Sequence, residues 1–63
     1  MEKRLTVERL SISRFSVFDS WTKQTTVYGF DEHGIMLCES GHDHSQYRYA
    51  VRRLLSLASG RAA

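Results

Sequence analysis

The sequence predicts an α+β fold: an antiparallel three- or four-stranded sheet, connected as a meander, packed on one C-terminal amphipathic helix. Two periodicities predict it. Apolar residues recur about every 3.6 positions over the last third of the chain and alternate in twos before that, as expected for a surface helix and for half-buried strands. Composition is the third observation. The chain has 63 residues, 41% of them hydrophobic, with three Phe, three Tyr, one Trp and no proline. That suits one small globular unit and not a disordered segment.

The first element spans about residues 5–12 and is irregular. Leu5 and Val7 share one parity, Leu10 and Ile12 the other, and a single regular strand cannot place both pairs on one face. A β-bulge near Arg9 reconciles them. A short helical turn through Val7 and Leu10 would do the same, but the alternation within each triplet favours a strand. The second strand covers about residues 13–21. Phe15, Val17, Asp19 and Trp21 occupy one parity; Ser16, Phe18 and Ser20 occupy the other. Thr22, Lys23 and Gln24 turn the chain back without any Asn-Gly or Asp-Gly signal.

A hairpin follows, with arms at about 25–30 and 35–39 that are rich in β-branched and aromatic side chains. Asp31-Glu32-His33-Gly34 joins them as a type I turn, with Gly34 taking the left-handed conformation. Ser40-Gly41-His42 ends the second arm. The helix then runs from about 44 to 59. Tyr47, Val51, Leu54 and Ala58 form its apolar stripe, and Arg48, Arg52, Ser56 and Ser59 the opposite one. Asp43 with Gln46 resembles a capping box, Ser45 competes as the cap, and Gly60 is placed to stop the helix.

Charge is distributed unevenly. Seven acids and nine bases give a formal +2, yet residues 45–63 hold four arginines and no acid, while residues 15–44 hold five acids and one lysine. A helix with an apolar face and an arginine face is suited to docking. Arg48, Arg52 and Arg53 would contact an acidic protein surface, with Phe18, Trp21 and Tyr49 as aromatic anchors. The alternative is a nucleic-acid backbone, met by the same arginines with Arg61, Lys3, Arg4 and Arg9. The acidic middle of the chain and the low total charge weigh against that alternative.

Both sheet faces carry apolar groups and one helix covers only one of them, so a homodimer is expected as well as a foreign partner. Cys38, His42 and His44 are soft or borderline ligands, but their spacing has little specificity for zinc. A lone Cys38 is more simply a small buried hydrophobe, and it excludes an internal disulfide. No cofactor motif is present, and a chain this short has little room to enclose a catalytic pocket. The expectation is therefore a non-enzymatic regulator, adaptor or inhibitor of the kind a phage or mobile element encodes. It is expected in the cytoplasm, because no apolar run reaches the length of a membrane span and no signal-peptide core follows Lys3 and Arg4.

Overall fold

The structure, a computed structural model, describes residues 4–58. Lys3, Arg61, Ser59 and Gly60, each given a role above, lie outside the described residues. Four strands and one helix follow in chain order: β1 (Leu5–Ser11), β2 (Arg14–Asp19), β3 (Gln24–Phe30), β4 (Met36–Ser40) and α1 (Ser45–Ala58). The strands form one antiparallel meander in the order β1-β2-β3-β4. The helix packs on one face of it, over β1 and β2. This is the α+β sheet-and-helix arrangement that the two periods predict.

The register decides which side chains form the core. Val7 pairs with Val17 and Val17 with Thr26, while Phe15 pairs with Tyr28 and Tyr28 with Cys38. Opposed residues share a face, so Leu5, Val7, Phe15, Val17, Asp19, Thr26, Tyr28, Met36 and Cys38 all point toward α1. Phe15, Val17, Tyr28, Met36, Tyr47 and Val51 are buried, with Leu54 and Leu55 packed against them. Arg14, Ser16, Phe18, Val27 and Leu37 lie on the open face. Tyr28 and Met36 are thus core residues.

The irregularity of β1 is a bulge. Pairing with β2 jumps between Arg9 and Ser11, so the extra residue is Leu10. Leu10 and Ile12 are consequently exposed, and no helical turn forms. A second bulge lies opposite the step from Val27 to Tyr28, where Glu39 is the extra residue of β4.

The turns show why the chain reverses where it does. Strand β2 stops at Asp19, two residues short of the expected end, so its parity does not extend to Trp21. The carboxylate of Asp19 accepts the Trp21 amide at 2.9 Å, and the Asp19 carbonyl accepts the Lys23 amide at 2.7 Å. Lys23 then sits at φ 62, a left-handed position more often held by Gly or Asn. In the β3–β4 turn, Asp31 accepts the amides of His33 and Ile35 and Gly34 has φ 79. That turn is as its sequence predicts. Gly41, at φ 85, passes so close to Thr25 and Thr26 that a Cβ there would collide with their backbone. Only glycine fits this crossing.

The helix start differs from expectation. His44 is the cap: its carbonyl accepts the amides of Tyr47 and Arg48, and its Nδ1 accepts the amide of Gln46 at 3.1 Å. Asp43 cannot serve the first turn because the Tyr28 hydroxyl and the Arg48 guanidinium already occupy its carboxylate. Ser45 is the first helical residue and does not cap.

Candidate functional site

Two carboxylates organise the N-terminal half of α1. Asp19, at the end of β2, is fully buried. Arg4 donates to it through Nε at 3.2 Å and Nη2 at 3.1 Å, and the Tyr47 hydroxyl donates at 2.5 Å. A buried charge persists only when it is paired and its lone pairs are filled. With the Trp21 amide these donors meet that condition. The Arg4 guanidinium, then the Tyr47 hydroxyl, hold the Asp19 carboxyl far below its ordinary value. The same bond pushes the Tyr47 phenol up. Arg4 also donates to the Gln46 side chain at 3.1 Å and lies 4.1 Å from the Trp21 ring centroid. One guanidinium therefore ties the segment before β1 to β2, the β2–β3 turn and the helix start.

Asp43 is the second hub. Tyr28 donates to it at 2.7 Å, and Arg48 grips it with Nε and Nη2, both at 2.8 Å. Arg48 also donates to the Met36 carbonyl at 3.1 Å, which faces away from β3. The Arg48 pairing, followed by the Tyr28 hydroxyl, lowers the Asp43 carboxyl to about 2. Burial first, and Asp43 second, push the Tyr28 phenol up to about 12.

Most of the described arginines are engaged within the fold. Arg4 and Arg48 are inside the two hubs, and Arg14 pairs with Glu39 on the open sheet face at 2.6 Å. Arg9 donates to the Ile12 carbonyl and lies over Phe15. Among the described residues, Arg52 and Arg53 make no ion pair. Both are exposed on α1, three and four residues after Tyr49, which is 64% exposed. Side chains at those spacings are neighbours on a helix surface. The result is a small basic patch with an aromatic centre.

The structure brings Tyr49, Arg52 and Arg53 together and separates the other candidates from them. Arg48 faces the sheet edge and is half-buried. Trp21 is exposed in the β2–β3 turn beneath Arg4. Phe18 is on the open sheet face, on the far side of the layer from α1. The three aromatics therefore do not form one anchor. Arg4 and Arg9 are held in internal contacts and do not extend a stripe from Arg52 and Arg53.

The weak metal-ligand candidates, Cys38, His42 and His44, do not converge either. Cys38 is half-buried on the core side with its Sγ toward the carbonyls of Ser40 and Gly41, and the His42 and His44 rings are 6.2 Å apart. His44 Nδ1 is occupied as the helix cap. No group of three ligands able to hold a metal occurs among the described residues, nor does a helix long and apolar enough to cross a membrane.

Reading the sequence missed both hubs, yet each left a signal. Asp19 continues the strict i, i+2 series of Phe15 and Val17, which places an acid on the buried face. Asp43 precedes Arg48 by five residues and is preceded in space by a tyrosine on the core parity of β3. That second signal requires the sheet register and is not visible in one dimension.

No family model matches the chain, and no curated protein or solved structure matches it either.

Proposed function

We propose that this is a small non-enzymatic interaction protein, regulatory or inhibitory in kind, that docks on an acidic protein surface through the outer face of α1. One observation carries the reading. Tyr49 projects from that face between two arginines that make no ion pair among the described residues, whereas the other described arginines are engaged within the fold. Exposed tyrosine beside arginine is the composition of an interface core, where an aromatic anchor is desolvated and charge-assisted bonds fix its orientation. Held on a helix whose first half is tied to the sheet, these side chains lose little backbone freedom on binding.

Nucleic-acid backbone binding makes a different demand, because affinity grows with the number of phosphates neutralised. Two arginines without an ion pair among the described residues, on one helix of a domain whose opposite sheet face carries Glu8 and Glu39, provide a small footprint for that purpose. The two functions separate in a titration of the purified protein against a short random DNA duplex and against acidic peptides selected by display. The docking reading predicts peptide binding that Arg52→Ala and Tyr49→Ala each weaken by about tenfold, with no duplex binding near physiological salt. Duplex binding that falls steeply between about 50 and 200 mM salt, without acidic-peptide binding, would overturn it.

A further inference from the structure

The two edges of the sheet are finished differently. On β4, the outward Met36 carbonyl is taken by Arg48 and the bulge at Glu39 breaks the ladder, both recognised ways of blunting an edge. On β1, the register assigns the outward groups. Ser20 donates to the Arg4 carbonyl, so Arg4, Thr6 and Glu8 bond toward β2. The amides and carbonyls of Leu5 and Val7 therefore point away from the sheet. Among the described residues those groups have no partner.

Alongside this bare edge runs a groove of about 220 Å³, lined by Leu5, Val7, Ala50, Arg53, Leu54 and Leu57. The helix roofs it, because α1 is seated over β1 and β2 and not over the centre of the sheet. Leu57 is 70% exposed at its rim. The floor and roof are apolar, and the single charge in the lining is Arg53.

We propose that this groove receives an extended peptide, which adds to β1 as a fifth strand. Its alternate side chains would be apolar against Leu5, Val7, Leu54 and Leu57, and an acidic residue would meet Arg53. Main-chain bonds to an open edge supply affinity in such strand addition, and side-chain pockets supply the selection. Charge complementarity decides the occupant. Arg9 is on the helix side of β1 and Glu8 on the opposite face, so the groove side presents bases and no acid.

A second copy of the chain fits less well. Self-pairing centred on Val7 sets the second copy's Arg9 opposite Leu5, on the side of Arg53. Centring on Glu8 sets two carboxylates against each other, which is unfavourable across strands. Centring on Thr6 pairs only residues 4–8 among those described, and draws on an Arg4 already bound to Asp19. This inference goes beyond the outer-face reading and does not depend on it, since Tyr49 and Arg52 are not part of the groove.

The test is an array of short peptides in which Val, Ile, Leu or Phe alternates with Thr between terminal Glu residues, with a matching array that ends in Lys. Val7→Pro removes an outward donor without removing a ladder bond, and proline is tolerated on an edge strand. Far-ultraviolet circular dichroism reports whether the variant folds. Glu-ended peptides should bind the parent, and Val7→Pro should weaken them by about tenfold or more. Arg53→Glu should transfer selection to the Lys-ended array, and if Val7→Pro does not fold this result, together with unchanged binding by Tyr49→Ala, decides the matter. Tyr49→Ala should leave the array unchanged.

No binding to the array would overturn the proposal, as would binding insensitive to both Val7→Pro and Arg53→Glu. A parent dimer in sedimentation that Val7→Pro dissociates would assign the edge to a second copy instead. Peptide binding lost on Tyr49→Ala but retained in Val7→Pro would place the ligand on the outer helix face, refuting the groove while leaving the docking reading intact.

Discussion

The two halves of α1 have different chemistry although their sequences look alike. In the first half Gln46 is committed to Arg4, Tyr47 to Asp19, and Arg48 to Asp43 and the Met36 carbonyl, with Tyr49 alone of the long polar side chains turned outward. In the second half Arg52, Arg53 and Leu57 are exposed, and none has a polar partner among the described residues. An arginine stripe read from sequence is therefore two things. One part is scaffold that fixes the helix on the sheet, and the other is surface available to a partner.

Asp19→Ala should produce the largest change. It leaves the Tyr47 hydroxyl and the Arg4 guanidinium without their acceptor in a buried site, and removing one member of a buried pair is among the most destabilising single changes. A fall in Tm of about 10 °C or more is expected, since small domains respond strongly to such losses. An unchanged Tm would show that the hub does not hold the helix.

The same groups set the pH response. Asp19 and Asp43 are both depressed below the ordinary 3.8. Their contribution is fully present above that value and is lost as pH falls through their folded values, about 2 for Asp43. Tyr28 and Tyr47 are raised above 10.0, so their contribution is present below 10.0 and is lost as pH climbs toward about 12 for Tyr28. Chemical denaturation across pH should show a plateau between these limbs, and Asp19→Asn should flatten the acid limb.

Val51→Ala creates a void between α1 and β2 where Val51 is fully buried, and should cost about 2 kcal/mol in urea unfolding. Tyr28→Phe keeps the ring but withdraws the hydroxyl from Asp43 and from the His44 amide, and should cost about 1 kcal/mol. Lys23→Gly relieves the left-handed residue of the β2–β3 turn and should stabilise by about 1 kcal/mol. Arg52→Ala and Arg53→Ala should stay within about 0.5 kcal/mol of the parent. If either arginine substitution destabilises as Val51→Ala does, the division of the helix into scaffold and surface fails.

Much of the fold was legible because it depends on patterns within a few residues. The 3.6-residue stripe places Tyr47, Val51 and Leu54 against the sheet. The clash of parity between Leu5, Val7 and Leu10, Ile12 announces the β1 bulge, and Asp31 with Gly34 specifies a turn. The candidate site was legible only in part. Tyr49, Arg52 and Arg53 fall together because helical spacing alone unites them. Phe18 and Trp21 were grouped with them by residue type, and the layer between them and α1 could not be read from type.

Arg48 shows the limit most clearly. Its spacing belongs with Arg52, yet Asp43 and the β4 edge draw it inward, and that depends on the return of the chain past Gly41. Where a function is assigned by counting arginines, the ones consumed by the fold must first be removed from the count.

The most direct test measures the affinity of an acidic display-selected peptide against salt for the parent, Arg48→Ala and Arg52→Ala, each at a temperature where circular dichroism shows it folded. The account predicts that Arg52→Ala weakens binding and flattens the salt dependence, while folded Arg48→Ala binds as the parent does. Loss of binding in Arg48→Ala with none in Arg52→Ala would contradict it, because the docking charge would then lie in the half of the helix assigned to the scaffold.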